Sequence, residues 1–314
     1  MMNTAGMSLS EQIKQYAFSV GFDAVGICRM EEVDSLTGSH LRGWLKKGYQ
    51  ADMDYLSRNV DKRLNPGLLV EGAKSVICIA LNYYPAEKQP ETVPQFAYYA
   101  YGKDYHEVVK NKLYRLYDFI QSICPQAEGR VFVDTAPVLE RYWAAKAGIG
   151  FIGKNTMLIM PGKGSFYFLG EIIVNIELEY DKPLSVSCGK CERCQTACPT
   201  GAFDTAYCLN SHKCISYQTI ENKGDIYKNI IPYMGNNFYG CDICQKVCPF
   251  NRFAAPNKVE EFSPSDEFLS LDQNAVGNMT EEDYRRIFKG SAVKRAKFSG
   301  LMRNLKALNS KRID

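Results

Sequence analysis

Nine of the chain's 12 cysteines fall between Cys188 and Cys248, and their spacing is the first sign of chemistry. Cys188, Cys191, Cys194, Cys198 and Pro199 form a Cys-x2-Cys-x2-Cys-x3-Cys-Pro run, and Cys241, Cys244, Cys248 and Pro249 repeat it in register with Cys191, Cys194, Cys198 and Pro199. Three thiolates so close together suit one iron-sulfur cube, while the fourth of the run reaches a second cube. The repeat therefore implies two clusters. Phe238 stands where the counterpart of Cys188 would fall, so the eighth thiolate has to come from Cys214 or Cys208. Crossed ligation with Cys214 gives Cys188, Cys191, Cys194 and Cys248 for one 4Fe-4S cluster, and Cys198, Cys214, Cys241 and Cys244 for the other. A pair of zinc sites is the bland alternative, but zinc normally takes paired Cys-x2-Cys hooks rather than three consecutive thiolates followed by Cys-Pro.

The rest of the composition fits this redox reading. With 314 residues, 46% hydrophobic and 23% charged, the chain is long enough for about two domains and is neither disordered nor low in complexity. A net charge of +3 predicts no global basic field. No apolar run reaches ~18 residues, and Met1 to Ser10 lacks the pattern of a signal peptide, so no membrane span is expected and the cytoplasm is the expected compartment. There, cysteines serve metals or redox chemistry more than disulfides. Cys28, Cys78 and Cys124 sit in or beside apolar runs and read as buried bystanders.

Two clusters carry single electrons and name no reaction, so the residues before them should hold an acceptor. The cysteine density changes near Asp181-Lys182-Pro183, which divides the chain into 1–180, 181–260 and 261–314. In the first part, Ser8 and Glu11 suit a capping box for a helix ending at Gly21. Short strands are expected at 24–28, 75–81 and 130–133, and helices at 105–122 and 138–147, an alternation that predicts an α/β domain with a central sheet. Asp134 ends one of these strands, where it suits either a partly desolvated general acid or a helix N-cap. Gly148, Gly150 and Gly153 match Gly-x-Gly-x-x-Gly weakly, because a helix pattern precedes them and Asn155 replaces the Ser or Thr of a P-loop. They suit a tight turn or the close approach of a flat cofactor. The aromatic stretch from Tyr98 to His106 suggests a pocket rim around Asp104 and His106. Tyr284 to Arg312 holds ten Lys or Arg and no Asp or Glu, either a solvated helix face or a surface for phosphates.

Taken together, the segments 99–106 (Tyr-Ala-Tyr-Gly-Lys-Asp-Tyr-His), 133–141, 147–155, the two cysteine runs and 290–297 (Gly-Ser-Ala-Val-Lys-Arg-Ala-Lys) resemble the epoxyqueuosine reductases over nearly the whole chain. The resemblance implies an N-terminal α/β cobalamin-binding domain of the nitroreductase-like, corrinoid-handling kind. A two-cluster bacterial ferredoxin-like domain and a basic helical C-terminal segment would follow it. It implies cobalamin fed by the two clusters, and reduction of epoxyqueuosine to queuosine in a tRNA anticodon, the last step of that modification. Asp134 aligns with the family's proposed proton donor. Asp104, His106, Arg141, Lys154 and Asn155 are the further expected cofactor or substrate contacts, alongside Asp134 itself. Expected partners are tRNA carrying epoxyqueuosine and a low-potential flavodoxin or ferredoxin, with a monomeric protein. Gln50-Ala51 stand where the family often has His-Gly, and many members continue into a helical-repeat segment beyond the point matching residue 314. Competing readings are a corrinoid reductase of another substrate, such as an organohalide, and a pure electron-transfer protein.

Overall fold

The computed structural model describes residues 6–310. Its first helix, Leu9–Val20, is capped as the spacing predicts: Ser8 Oγ accepts the Glu11 N–H, the Glu11 carboxylate accepts the Ser8 N–H, and Gly21 closes the helix at φ 97°. The buried face of Ile13, Ala17 and Val20 lies against the long helix Tyr105–Ile123, where the Tyr16 and Phe119 rings stack at 4.0 Å.

A four-stranded sheet forms the centre, in the order Ala24–Arg29, Ser75–Asn82, Tyr167–Val174, Gly129–Phe132. Every pairing is antiparallel. The strand Ser75–Asn82 is buried at each position because both sheet faces are covered. Ile77, Ile79 and Leu81 pack toward Leu9–Val20 and Tyr105–Ile123, while Val76, Cys78 and Ala80 pack toward Trp143 and Ala144 of the helix Glu140–Lys146. A two-sided core shows no alternation in sequence, so the run reads as uniformly apolar. Tyr167–Val174 lies between the two strands it pairs with, and it carries one polar residue inward, Glu171. Cys28, Cys78 and Cys124 are buried in these cores.

Hydrogen bonds and packing cross the three stretches of sequence. Gln95–Phe96 pairs in parallel with Asn237–Tyr239, and Phe96 meets Phe238, Tyr239, Phe268 and Phe288. Asp181 ties the joint between the first two stretches by accepting from Ile27 N–H at 2.8 Å and Lys14 Nζ at 2.6 Å. The glycine-rich turn is a packing device: a Cβ on Gly148 would lie 2.6 Å from the Lys182 carbonyl and one on Gly150 2.5 Å from that of Ile159.

The basic C-terminal segment is built into the fold by its apolar face and leaves most of its described cations exposed. The helix Lys297–Ser310 buries Leu301, Leu305 and Leu308, and Asn304 donates to the carbonyls of Thr219 and Phe238 at 2.8 and 2.9 Å. Several of the segment's cations have partners within the chain, although Arg286, Lys294 and Arg295 remain exposed. Arg295 grips Glu221 with two bonds, Arg286 pairs with Asp283 and Glu267, and Arg303 donates to the carbonyls of Gln218, Asn222 and Gly224. Lys289, Lys297 and Lys306 stay exposed, while Lys311 and Arg312 lie outside the described residues. Among the described residues no helix is long and apolar enough to cross a membrane.

Candidate active site

The fold gathers the cysteines into two groups of four. Cys188, Cys191, Cys194 and Cys248 line a small pocket closed by Ile159, Pro249 and Phe250. Cys198, Cys214, Cys241 and Cys244 line part of a much larger cleft of about 480 Å³. Cys208 sits in the small hairpin formed by Phe203–Thr205 and Cys208–Leu209, and is not among the residues lining either space. Backbone amides are aimed at sulfur in both groups: Lys154 N–H donates to Cys188 Sγ at 3.4 Å, and Ala202 N–H to Cys198 Sγ at 3.3 Å. Such donors stabilise thiolates bound to iron. Burial pushes the Cys241 thiol up to about 12, so thiolate character there has to come with a metal.

Tyr105, Asp134, Glu140 and Arg141 line the same large cleft as the second group. Asp134 is not a helix N-cap: the following helix starts at Glu140 with Leu139 at its cap, and Asp134 takes a left-handed φ of 51°. This conformation is costly for a residue with a side chain, and the surroundings enforce it. The Asp134 N–H donates to Glu140 Oε1 at 2.5 Å, and Thr135 N–H to Val133 O at 2.6 Å. The turn presents the Asp134 carboxylate to the cleft, where Oδ2 accepts from Tyr105 Oη at 2.5 Å and meets His106 Nε2 at 3.0 Å. Tyr105 is clamped between the His106 ring at 4.1 Å and the Phe168 ring at 4.2 Å.

Behind Asp134 runs a line of alternating charge. His106 Nδ1 lies 2.7 Å from Asp104 Oδ1, and Lys294 Nζ lies 3.2 Å from Asp104 Oδ2. Asp104 also caps the helix Tyr105–Ile123 by accepting the His106 N–H. With a carboxylate at each ring nitrogen, His106 donates from both and is an imidazolium. Burial works against that charge, yet the bonds to Asp104 and Asp134 outweigh it and raise the pKa to about 9. Burial likewise acts to raise Asp134, but His106, Tyr105 and Arg141 win and hold it below the usual carboxylate range. The desolvated acid expected from sequence is therefore an ionised carboxylate, and the proton is stored next to it on His106.

Because the folded pKa of His106 lies above its unfolded value near 6.5, its contribution to stability is complete below about pH 6.5 and is lost as pH rises through about 9. Denaturant titrations of the wild type should lose stability across that window. His106→Asn should flatten the loss; an unchanged slope in the variant would refute the assignment.

The remaining sequence candidates fall around this centre. Arg141 lines the cleft and donates to Thr156 O at 2.9 Å. Asn155 is buried, borders both cysteine-lined spaces, and donates to the Cys244 carbonyl at 3.3 Å. Lys154 lies on the side of the first cysteine group, with Nζ 3.9 Å from Glu192. Asp104 and His106 stand behind Asp134 rather than at a pocket rim, and of the aromatic stretch it is Tyr99 and Tyr105 that face the cleft. Ala51 adopts φ 52°, the region suited to the Gly of the family motif. Tyr105 and Glu140 are not singled out by sequence: Tyr105 is one aromatic among many there, and nothing local distinguishes Glu140 from a first-turn helical acid.

The fold and site define a class: a two-cluster iron-sulfur oxidoreductase whose second cysteine group opens into a cleft lined by an acid and a tyrosine. Residues 187–251 match the family described as "4Fe-4S double cluster binding domain", and residues 63–135 match "Epoxyqueuosine reductase QueG, DUF1730". The epoxyqueuosine reductase of Cellulophaga algicola is 43% identical over 296 residues, covering 94% of this chain and 96% of that protein. A crystal structure of epoxyqueuosine reductase with a tRNA-Tyr epoxyqueuosine-modified stem loop superposes with a TM-score of 0.89 at 33% identity, covering 96% of this chain and 81% of that one. The Bacillus subtilis enzyme, described with an aspartate-bearing catalytic loop swung out of its active site, gives 0.88 at 32% identity with the same coverage. The chain belongs to the epoxyqueuosine reductase family.

Proposed function

We propose that this chain reduces epoxyqueuosine in tRNA to queuosine, releasing the epoxide oxygen as water and completing queuosine biosynthesis. One observation carries the reading: a proton-holding Asp134, Tyr105 and His106 array opens onto the same cleft as the cysteines of one cluster site. Residues 1–180 would hold cobalamin, 181–260 the clusters, and 261–314 would brace both and offer tRNA a basic surface. The ligands would be Cys188, Cys191, Cys194 and Cys248 for the outer cluster, and Cys198, Cys214, Cys241 and Cys244 for the cluster beside the cleft. A low-potential flavodoxin or ferredoxin would supply electrons to a monomeric protein.

The chemistry of the cleft lining fits the family's cobalamin: Tyr83, Tyr99, Met157, Phe168 and Leu169 offer apolar and aromatic surface to a planar ring, and Arg141 and Asn155 offer polar groups to its substituents. Cobalamin, when bound, supplies the reducing chemistry that opening an epoxide to an alkene requires. The chain's own residues manage the protons. Charge building on the departing oxygen needs a donor held in place. Tyr105 Oη and the Asp134 carboxyl face the cleft, and His106 holds a proton 3.0 Å from Asp134 Oδ2, able to load the carboxylate as negative charge moves onto substrate. Asp104 and Lys294 fix the imidazolium from behind. Reduction consumes two electrons and two protons, and two clusters in series can deliver the electrons.

Incubation of the anaerobically reduced, cofactor-loaded protein with epoxyqueuosine-bearing tRNA, read by nucleoside mass spectrometry, tests the reading. Queuosine should accumulate; an intact epoxide with all cofactors bound would reject it. Binding of that tRNA should weaken steeply with salt. Replacing Lys289, Lys297 and Lys306 together by Gln should reduce the log–log salt slope by about 0.7 for each phosphate that is no longer neutralised. An unchanged slope would remove the C-terminal segment from the tRNA surface.

A further inference from the structure

Glu140 ties down the turn that carries Asp134. The Asp134 backbone is left-handed at φ 51°, and its N–H ends on Glu140 Oε1 at 2.5 Å. Two residues earlier, Phe132 pairs with Glu171 on the neighbouring strand, and Glu171 is fully buried with no hydrogen-bond partner on either carboxyl oxygen. An unpartnered carboxyl in that position stays neutral. The fold thus places one half-buried carboxyl, Glu140, in the cleft wall and one fully buried, Glu171, behind it, and the proton chemistry above uses neither of them.

We propose that Glu140 is a positioning residue for the reaction proposed above: its carboxyl, while protonated, holds the Asp134 turn closed against the cleft, and its ionisation loosens that turn. The groups facing it are Asp134 on the turn, Tyr105 and His106 on the long helix, Arg141 on its own helix and Glu171 on the sheet, with Cys28 and Cys78 on the strands beyond. Neutral Glu140 still offers its carbonyl oxygen to the Asp134 N–H. Ionised Glu140 sets a second negative charge beside Asp134, which Arg141 and His106 offset only in part.

The direction of the effect follows from reciprocity. Burial raises the Glu140 pKa to about 7, the negative charge of Asp134 adds to the rise, and the bond from the Asp134 N–H opposes it more weakly, as do Arg141 and His106. Since the nearby Asp134 strengthens proton binding at Glu140 on balance, proton binding at Glu140 strengthens the closed turn by the same factor. Closure is therefore favoured below about pH 7 and weakened above it, in a range where His106 keeps its charge.

Hydrogen–deuterium exchange of the cluster-loaded protein reads this without turnover, so it stays informative even if the substrate assignment fails. After correction for intrinsic rates, protection of a peptide spanning residues 131–139 should fall roughly 5-fold or more between about pH 6 and pH 8 in the wild type. Glu140→Gln, a permanently neutral acceptor of nearly the same shape, should keep protection constant across that range. Glu140→Ala should lose it at every pH. With substrate, wild-type kcat should decline over the same interval at constant KM for the stem loop, and Glu140→Gln should abolish the decline. A Gln variant with the wild-type pH dependence of exchange, or an Ala variant as protected as the wild type, would overturn the proposal. Glu171→Gln should leave protection at about pH 6 unchanged; a loss there would move the role from Glu140 to Glu171.

Discussion

Asp134→Asn should turn over ~10²- to 10⁴-fold more slowly than the wild type, the range expected when a positioned proton-transfer group is removed. The amide keeps an oxygen for the Tyr105 hydroxyl and nearly the same volume, so cleft shape, cluster content and the KM for tRNA should stay close to wild type. What is lost is a carboxylate that can receive the His106 proton across 3.0 Å and deliver it onward. Tyr105 alone is a poor substitute, because burial, the largest cause, holds its phenol above its ordinary value even when the negative charge of Asp134 is removed. Single-turnover kinetics with preloaded reduced enzyme isolate this step. Activity within about threefold of the wild type would reject the proton role for Asp134.

The second large effect concerns Cys214. Its sulfur site joins Cys198, Cys241 and Cys244 along the cleft, whereas the hairpin residue Cys208 does not line that space. Cys214→Ser should lose about half of the protein-bound iron and sulfide, since four of eight thiolates serve each cube. Turnover should vanish with it, because the lost cluster is the one beside the cleft. Cys208→Ser should retain the full iron content and its activity. Iron analysis with low-temperature electron paramagnetic resonance of the reduced protein separates the two: half-loss in the Cys208 variant and full content in the Cys214 variant would reverse the assignment.

Local signals in the sequence reach far. The Ser8 and Glu11 pair sets its helix start through bonds between neighbours, and the Cys-x2-Cys spacing acts within single loops, so both are legible from residue order. The pairing of Cys248 with the first run is legible as well, because the repeat carries its own register. Long-range relations are not. The antiparallel order of the sheet depends on Tyr167–Val174 inserting between its two partners, which no local pattern encodes. The charge state of Asp134 escapes the sequence because it depends on His106, 28 positions away and itself set by Asp104 and Lys294. The C-terminal segment is legible only in part for the same reason: a count of Lys and Arg within residues 284–312 omits Glu221, Glu267 and Asp104, the acids that pair with Arg295, Arg286 and Lys294.

The central claim is that electrons stored on the two clusters leave the protein through the epoxide. Its most direct test mixes fully reduced, cofactor-loaded protein anaerobically with limiting epoxyqueuosine stem loop, with no external reductant, and follows cluster absorbance and queuosine together. Each queuosine formed should coincide with reoxidation of two clusters, one electron from each, and a stem loop already bearing queuosine should leave the clusters reduced. Clusters that stay reduced while queuosine forms, or that reoxidise equally with both stem loops, would contradict the account.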